Sequence, residues 1–327
     1  MKKLLRKTSV LVTILAVALL FSGCKHNSNT NNNESDGSDP VNTDNPSGTE
    51  TEPENGTETE DKDEVITVTA GECTITTNKD NKDTIAVDET KKTITLTPAA
   101  EKAEYTITGS FDGQIINKTK NTVLILNNAT LTNKTGVSAI YGELKTEIKA
   151  EKESVNTITV TGPEKAPDAT KDPSSEPAVY CDKAIEIGGS GTLTVSCEYG
   201  HGVKASKIEL KGSGTFTFDG GADSSAANCN EFIVENDKTF TANFKDSKNG
   251  IKADETITIS SGTFNFENIT KVALKTDTSK DDPDKEHFIK LDGGTFTFTK
   301  CKKVYDTDKD ENGAYKFSKA EAVEGNF

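Results

Sequence analysis

From Val65 onward, apolar residues alternate with Thr and other polar residues in short runs: VITVTA (65–70), CTITTN (73–78), TITLT (93–97) and EYTITGSFDGQIIN (104–117). Such alternation is the signature of half-buried β-strands. Farther along it becomes a refrain, GSGTLTV (189–195), GSGTFTF (212–218), DKTFTA (237–242), SGTFNF (261–266) and GGTFTF (293–298). Strands read as starting at Thr192, Thr215, Thr239, Thr263 and Thr295 recur at intervals of 23, 24, 24 and 32 residues. The last interval is long because TDTSKDDPDKEH (276–287) is inserted. Self-similarity at this period marks a solenoid.

Each coil divides into three short strands. In one coil these are HGVKA (201–205), KIEL (207–210) and TFTF (215–218); two coils on they are NGIKA (249–253), TITI (256–259) and TFNF (263–266). Strands this short, joined without hairpin turns, predict successive coils stacked in parallel. The expected fold is all-β: a right-handed parallel β-helix with three short strands per coil of 23 to 24 residues.

Alternation assigns the faces. Phe216, Phe218, Phe240, Phe264, Phe266, Phe296 and Phe298 are expected to point inward with Leu193 and Val195. Thr192/Thr194, Thr215/Thr217, Thr239/Thr241 and Thr295/Thr297 are expected to form an outward hydroxyl lattice, suited to a crystalline polysaccharide or to ice. Gly pairs such as Gly188-Gly189 and Gly293-Gly294 read as corners, since no helix follows them to cradle a phosphate.

The first residues are organised differently. A basic start (MKKLLRK), an apolar run from Val10 to Phe21 and FSGC at 21–24 describe a signal peptide over 1–23, with Cys24 as a lipidated residue. Residues 24–64 then form an acidic linker with twelve acids against Lys25 and Lys62, too polar to fold. An N-terminal β cap is expected over 65–100, and the β-helix domain over 101–327. A Pro-rich loop (163–177) interrupts the coils.

The formal charge of −15 argues against nucleic acid and anionic lipid surfaces, and favours divalent cations or cation-bridged ligands. With only 3 His, and no carboxylate pair that can be placed as acid and nucleophile, a catalytic centre is hard to build. Once Cys24 is lipidated, five Cys remain without zinc-like spacing, so they read as buried small side chains.

The candidate chemistry lies on the first strand of each coil. Lys204, Lys252 and Lys275 follow Val203, Ile251 and Leu274, while Asp254, Asp277 and Asp308 sit three residues after Ile251, Leu274 and Tyr305. Two lysines one coil apart repel by about 0.9 kcal/mol in water. Interleaved carboxylates or an anionic ligand would relieve that repulsion. The expectation is that the three lysines bind uronate carboxylates and that the three aspartates hold calcium. The cluster Asp306, Asp308 and Asp310 loosely follows a calcium loop but has Phe317 where the distal Glu belongs.

The ordered set YTITGSFDGQI (105–115), TVLILNNATLTNKTGVSAIY (122–141), Asn156 before TITVTG, AVYCDKAIEIGGSGTLTVS (178–196), GHGVKASKIELKGSGTFTF (200–218) and NGIKADETITISSGTFNF (249–266) covers about half the chain. It resembles the cellulose- and polygalacturonate-binding right-handed β-helix family of bacterial surface lipoproteins. The resemblance implies a non-catalytic binder of acidic polysaccharide that uses calcium, tethered to the cell envelope. Where the family carries Asp-Gly-Ile at a corner, this chain has His201-Gly202-Val203 and Asn249-Gly250-Ile251, so the family's metal ligands do not carry over residue by residue. Two other classes are compatible with the fold: a calcium-dependent polysaccharide lyase, and a structural adhesin.

Overall fold

The computed structural model describes residues 65–97, 103–120, 122–162, 176–277 and 285–327. The signal segment, Cys24, the acidic linker, most of the Pro-rich loop and the middle of the last insertion lie outside these residues.

The described chain is a parallel β-helix. From Glu104 onward its strands pair in parallel with the equivalent strands of neighbouring coils. The first face stacks 114–117, 140–142, 179–181, 203–205, 225–229, 249–253, 272–276 and 305–306. The second runs through 122–126, 146–150, 184–189, 207–210, 231–234, 256–259 and 288–291. The third carries the refrain, from Thr192–Cys197 through Thr215–Asp219, Thr241–Lys245 and Thr263–Glu267 to Thr295–Thr299.

Antiparallel pairing is concentrated at the N-terminal end. Val65–Ala70 and Glu72–Asn78 form a hairpin, and Glu72–Asn78 lies antiparallel on Glu104–Asp112. A second hairpin joins Ile85–Asp88 to Thr93–Leu96, and Thr93–Leu96 then pairs in parallel with Gln114–Asn117. The first parallel rung of the first face therefore begins inside this cap. Covering an end strand with an antiparallel one removes an open edge that would recruit other chains.

Stacked side chains fill the interior. Phe216, Phe218, Phe240, Phe264 and Phe266 are fully buried, as are Leu193 and Val195. Phe298, at the C-terminal end, is only partly covered. Burying each Phe contributes about 1.5–3 kcal/mol. The Phe264 and Phe296 rings lie 5.1 Å apart, and those of Phe266 and Phe298 5.2 Å apart.

One expected strand is displaced. The strand assigned from Thr239 begins at Thr241, which pairs with Thr215 and Thr263. The intervals are therefore 23, 26, 22 and 32 residues. Thr239 precedes the strand, where its N–H donates to Gly212 O. The two extra residues are absorbed in the preceding corner, where Asp237 adopts φ +63°.

Corners are set by close approach. A Cβ on Gly250 would lie 2.5 Å from Phe266 Cδ1, so only glycine fits beside that ring. Asn156 is buried and fully used: it accepts from Ala129 N (3.0 Å) and donates to Ser154 Oγ (2.7 Å) and Thr192 O (3.1 Å). Its role in the described structure is to tie three coils together. His201 is a corner residue, as expected, with Ser225 N–H donating to its Nδ1 at 3.0 Å.

Candidate functional site

A strand of the first face exposes mainly its middle residue. Parallel register therefore lines up one outward side chain per coil: Ile116, Tyr141, Tyr180, Lys204, Asn228, Lys252, Lys275 and Asp306. Lys204, Lys252 and Lys275 share one row, as the sequence predicted, with Asn228 between the first two. The row also holds a tyrosine pair that sequence reasoning missed. Tyr141 and Tyr180 are half-buried, with ring centroids 5.6 Å apart and planes inclined by 34°.

Two residues farther along each strand, a second set faces outward: Asp182, Ser206, Asn230, Asp254 and Asp277. It decides which lysines are free. Lys252 Nζ lies 3.1 Å from Asp254 and 3.5 Å from Asp277, and Lys275 Nζ lies 3.1 Å from Asp277. Burial opposes the charge of Lys252, yet the Asp254 and Asp277 carboxylates outweigh it and raise its pKa. Burial likewise opposes the charge of Asp277, while Lys252 and Lys275 hold it below the usual carboxylate range. Lys204 has Ser206 in place of an acid, and no ion pair reaches it among the described residues.

The three aspartates do not assemble. Asp254 and Asp277 belong to this lysine ladder, whereas Asp308 is largely buried and pairs with Lys316 at 3.4 Å. With ammonium groups already on the Asp254 and Asp277 oxygens, this donor set does not fit calcium, a hard cation that takes six to eight oxygens. Among the described residues no group of three or more His, Cys, Asp or Glu could hold a metal ion. The Asp306–Asp310 segment is an ordered turn: Asp306 pairs with Lys303 at 2.6 Å, and Asp310 Oδ1 accepts from Asn312 N and Ala314 N, each at 2.9 Å.

Tyr141 Oη donates to Asp182 Oδ2 at 2.7 Å. That hydrogen bond to a carboxylate, with some burial, pushes the Tyr141 phenol up to about 12. Burial first, and then Asp182, raises Tyr180 as well. One carboxylate thus acts on both phenols.

The other two faces differ in character. On the third, the outward rows are Thr192, Thr215, Thr241, Thr263 and Thr295, beside Thr157, Thr194, Thr217, Asn243, Asn265 and Thr297. The lattice is therefore real but is part amide: Asn243 Nδ2 donates to Thr217 Oγ1 at 3.2 Å and Asn265 Nδ2 to Asn243 Oδ1 at 2.9 Å. On the second, Lys211 bridges Glu147 (2.7 Å) and Glu186 (2.5 Å), and Lys145 also pairs with Glu186. Asp219, at the exit of the third face, is pushed up to about 6 by burial and by Asp246. The described cysteines are unbridged thiols, four of them buried; burial pushes Cys73 up to about 11, which leaves it protonated and inert near neutrality.

The fold and its outward rows define a parallel β-helix that displays mostly polar side chains in register, one per coil in each row. Residues 88–208 match a family model described as a carbohydrate-binding domain-containing protein. Among solved structures, the polysaccharide lyase-like protein from C. thermocellum, in a gadolinium derivative, is similar at TM-score 0.50 and 21% identity, over 76% of this chain and 94% of that one. At that identity the likeness bears on the fold alone. No curated protein matches the chain.

Proposed function

We propose that this is a lipid-anchored protein of the bacterial cell envelope that binds polysaccharide on the outside of its β-helix without cleaving it. The observation that carries the reading is the family-model match over 88–208, a span containing Tyr141, Tyr180 and Lys204. An acidic glycan such as polygalacturonate suits the lysines of the first face, and anchoring through Cys24 follows from the FSGC segment. The non-catalytic reading is supported by the state of Lys252 and Lys275. Both are held by carboxylates, and the raised pKa of Lys252 makes it a poor base for a lyase. Any calcium dependence would come from cation bridging between the acidic surface and an acidic glycan, not from Asp254, Asp277 and Asp308 as a cage.

The test is retention on immobilised pectate and on cellulose, with and without chelator, alongside the ultraviolet absorbance of polygalacturonate incubated with the protein. Retention with flat absorbance is the expected result. Accumulation of unsaturated product would make the protein a lyase, and loss of retention in chelator would establish the cation requirement. Failure on every glycan, with capture of a protein ligand instead, would make it an adhesin.

A further inference from the structure

We infer that an anionic glycan strand lies along the first face over Tyr141, Tyr180, Lys204 and Asn228, with one of its carboxylates held by Lys204. The inference rests on the carbohydrate-binding reading above and adds the ligand's position and the residue that selects for charge.

Three independent features converge on this stretch. The four side chains occupy consecutive coils in register, so they form a straight track of about 14 Å at the usual strand spacing. Lys204 is half-buried, yet its second-set neighbour is Ser206, which has no charge and donates to Asp182 O at 2.8 Å. Lys252 and Lys275 have Asp254 and Asp277 at the same positions, and are neutralised by them. On a chain of formal charge −15, a half-buried lysine with no ion-pair partner among the described residues is a slot for a carboxylate from outside.

The tyrosines supply the rest. Tyr141 is held by its hydrogen bond to Asp182, and the Tyr180 ring packs against it at a tilt, so less ordering is left for a ligand to impose. An aromatic ring with a polar tip matches a sugar, which has an apolar C–H face and a hydroxyl rim. Asn228 extends the track with one amide before the neutralised lysines begin. The third face offers hydroxyls and amides but, in its two main rows, no cation, so it would suit neutral glycan and not select for charge.

The experiment is calorimetric titration of the full chain with oligogalacturonate and, separately, with a neutral cello-oligosaccharide. Lys204→Gln and Ser206→Asp should each weaken oligogalacturonate binding about tenfold or more, the scale of losing one hydrogen bond to a charged group. The second leaves Lys204 in place and gives it the acid that Lys252 and Lys275 have. Ser206 is exposed, so Ser206→Asp is expected to stay folded, with only a small fall in melting temperature from the lost hydrogen bond to Asp182 O. Lys252→Gln should change little. Raising salt should weaken the wild-type complex more steeply than the Lys204→Gln complex. If the wild type binds oligogalacturonate and neither variant weakens it, the track is wrong while carbohydrate binding stands. If the wild type takes only the neutral oligosaccharide, the track is likewise wrong and carbohydrate binding again stands. If it binds neither, both readings fall together.

Discussion

The ring of Phe240 lies 5.6 Å from that of Phe264, although the strand partner of Phe264 is Ala242. Phe240 comes from the residues just before the strand and fills the space that Ala242 leaves. It reaches Phe216 on the other side at 5.8 Å, and so restores the aromatic column between coils. Phe240→Ala should destabilise by about 3–5 kcal/mol, as expected for a buried Phe that leaves a cavity. Ala242→Phe alone should cost about 1–3 kcal/mol by overpacking. The double variant should be more stable than Phe240→Ala alone, because the new ring enters from the strand position. Chemical denaturation checks all three.

The Tyr141–Asp182 hydrogen bond should be visible by titration. Absorbance of the phenolate between pH 9 and 13 is expected to show one tyrosine ionising near 12. Asp182→Asn removes the carboxylate that favours the protonated phenol, so the value should fall toward the ordinary 10.

Asp219 gives stability a pH dependence of definite sign. Its folded pKa, about 6, stands above the ordinary value of 3.8, so the folded state binds the proton more tightly than the unfolded chain. The resulting penalty is absent at and below pH 3.8, grows between there and about 6, and is complete above. Asp219→Asn should therefore raise the melting temperature at pH 8, with the gain shrinking to nothing by pH 3.5.

Lys211 neutralises two glutamates on adjacent coils of the second face. Lys211→Ala should destabilise by about 1 kcal/mol at low ionic strength, with added salt recovering part of the loss by screening Glu147 from Glu186.

Much of the architecture was legible in the sequence because the coil repeats one pattern. The refrain marked the third face, and the Val-Lys, Ile-Lys and Leu-Lys pairs placed Lys204, Lys252 and Lys275 in one row. What failed was register within a single repeat. DKTFTA looks like its neighbours, but pairing follows the stacked strands, and these put Ala242 and Phe244, not Phe240 and Ala242, opposite Phe216 and Phe218. The tyrosine pair was missed for another reason. Tyr141 and Tyr180 are separated by a Pro-rich loop that breaks the period, and only the parallel pairing of 140–142 with 179–181 makes them neighbours. The neutralised state of Lys252 and Lys275 was half visible, in the Asp two residues after each. The meaning of Ser206 at that position emerges only once Lys204 is seen to have no ion-pair partner among the described residues.

A row with one outward letter per coil separates the grammar of folding from the wording of recognition. Inward residues of Val179–Gly189, Val203–Leu210 and Ser225–Val234 must fit their neighbours above and below, but Tyr180, Lys204 and Asn228 answer chiefly to what lies outside. On the proposed binding mode, a single substitution in this row edits one step of the ligand's reading frame. Duplication of a coil lengthens the sentence by one word. Descendants of such a chain can thus change what the row displays, or how long it is, without relearning how to fold.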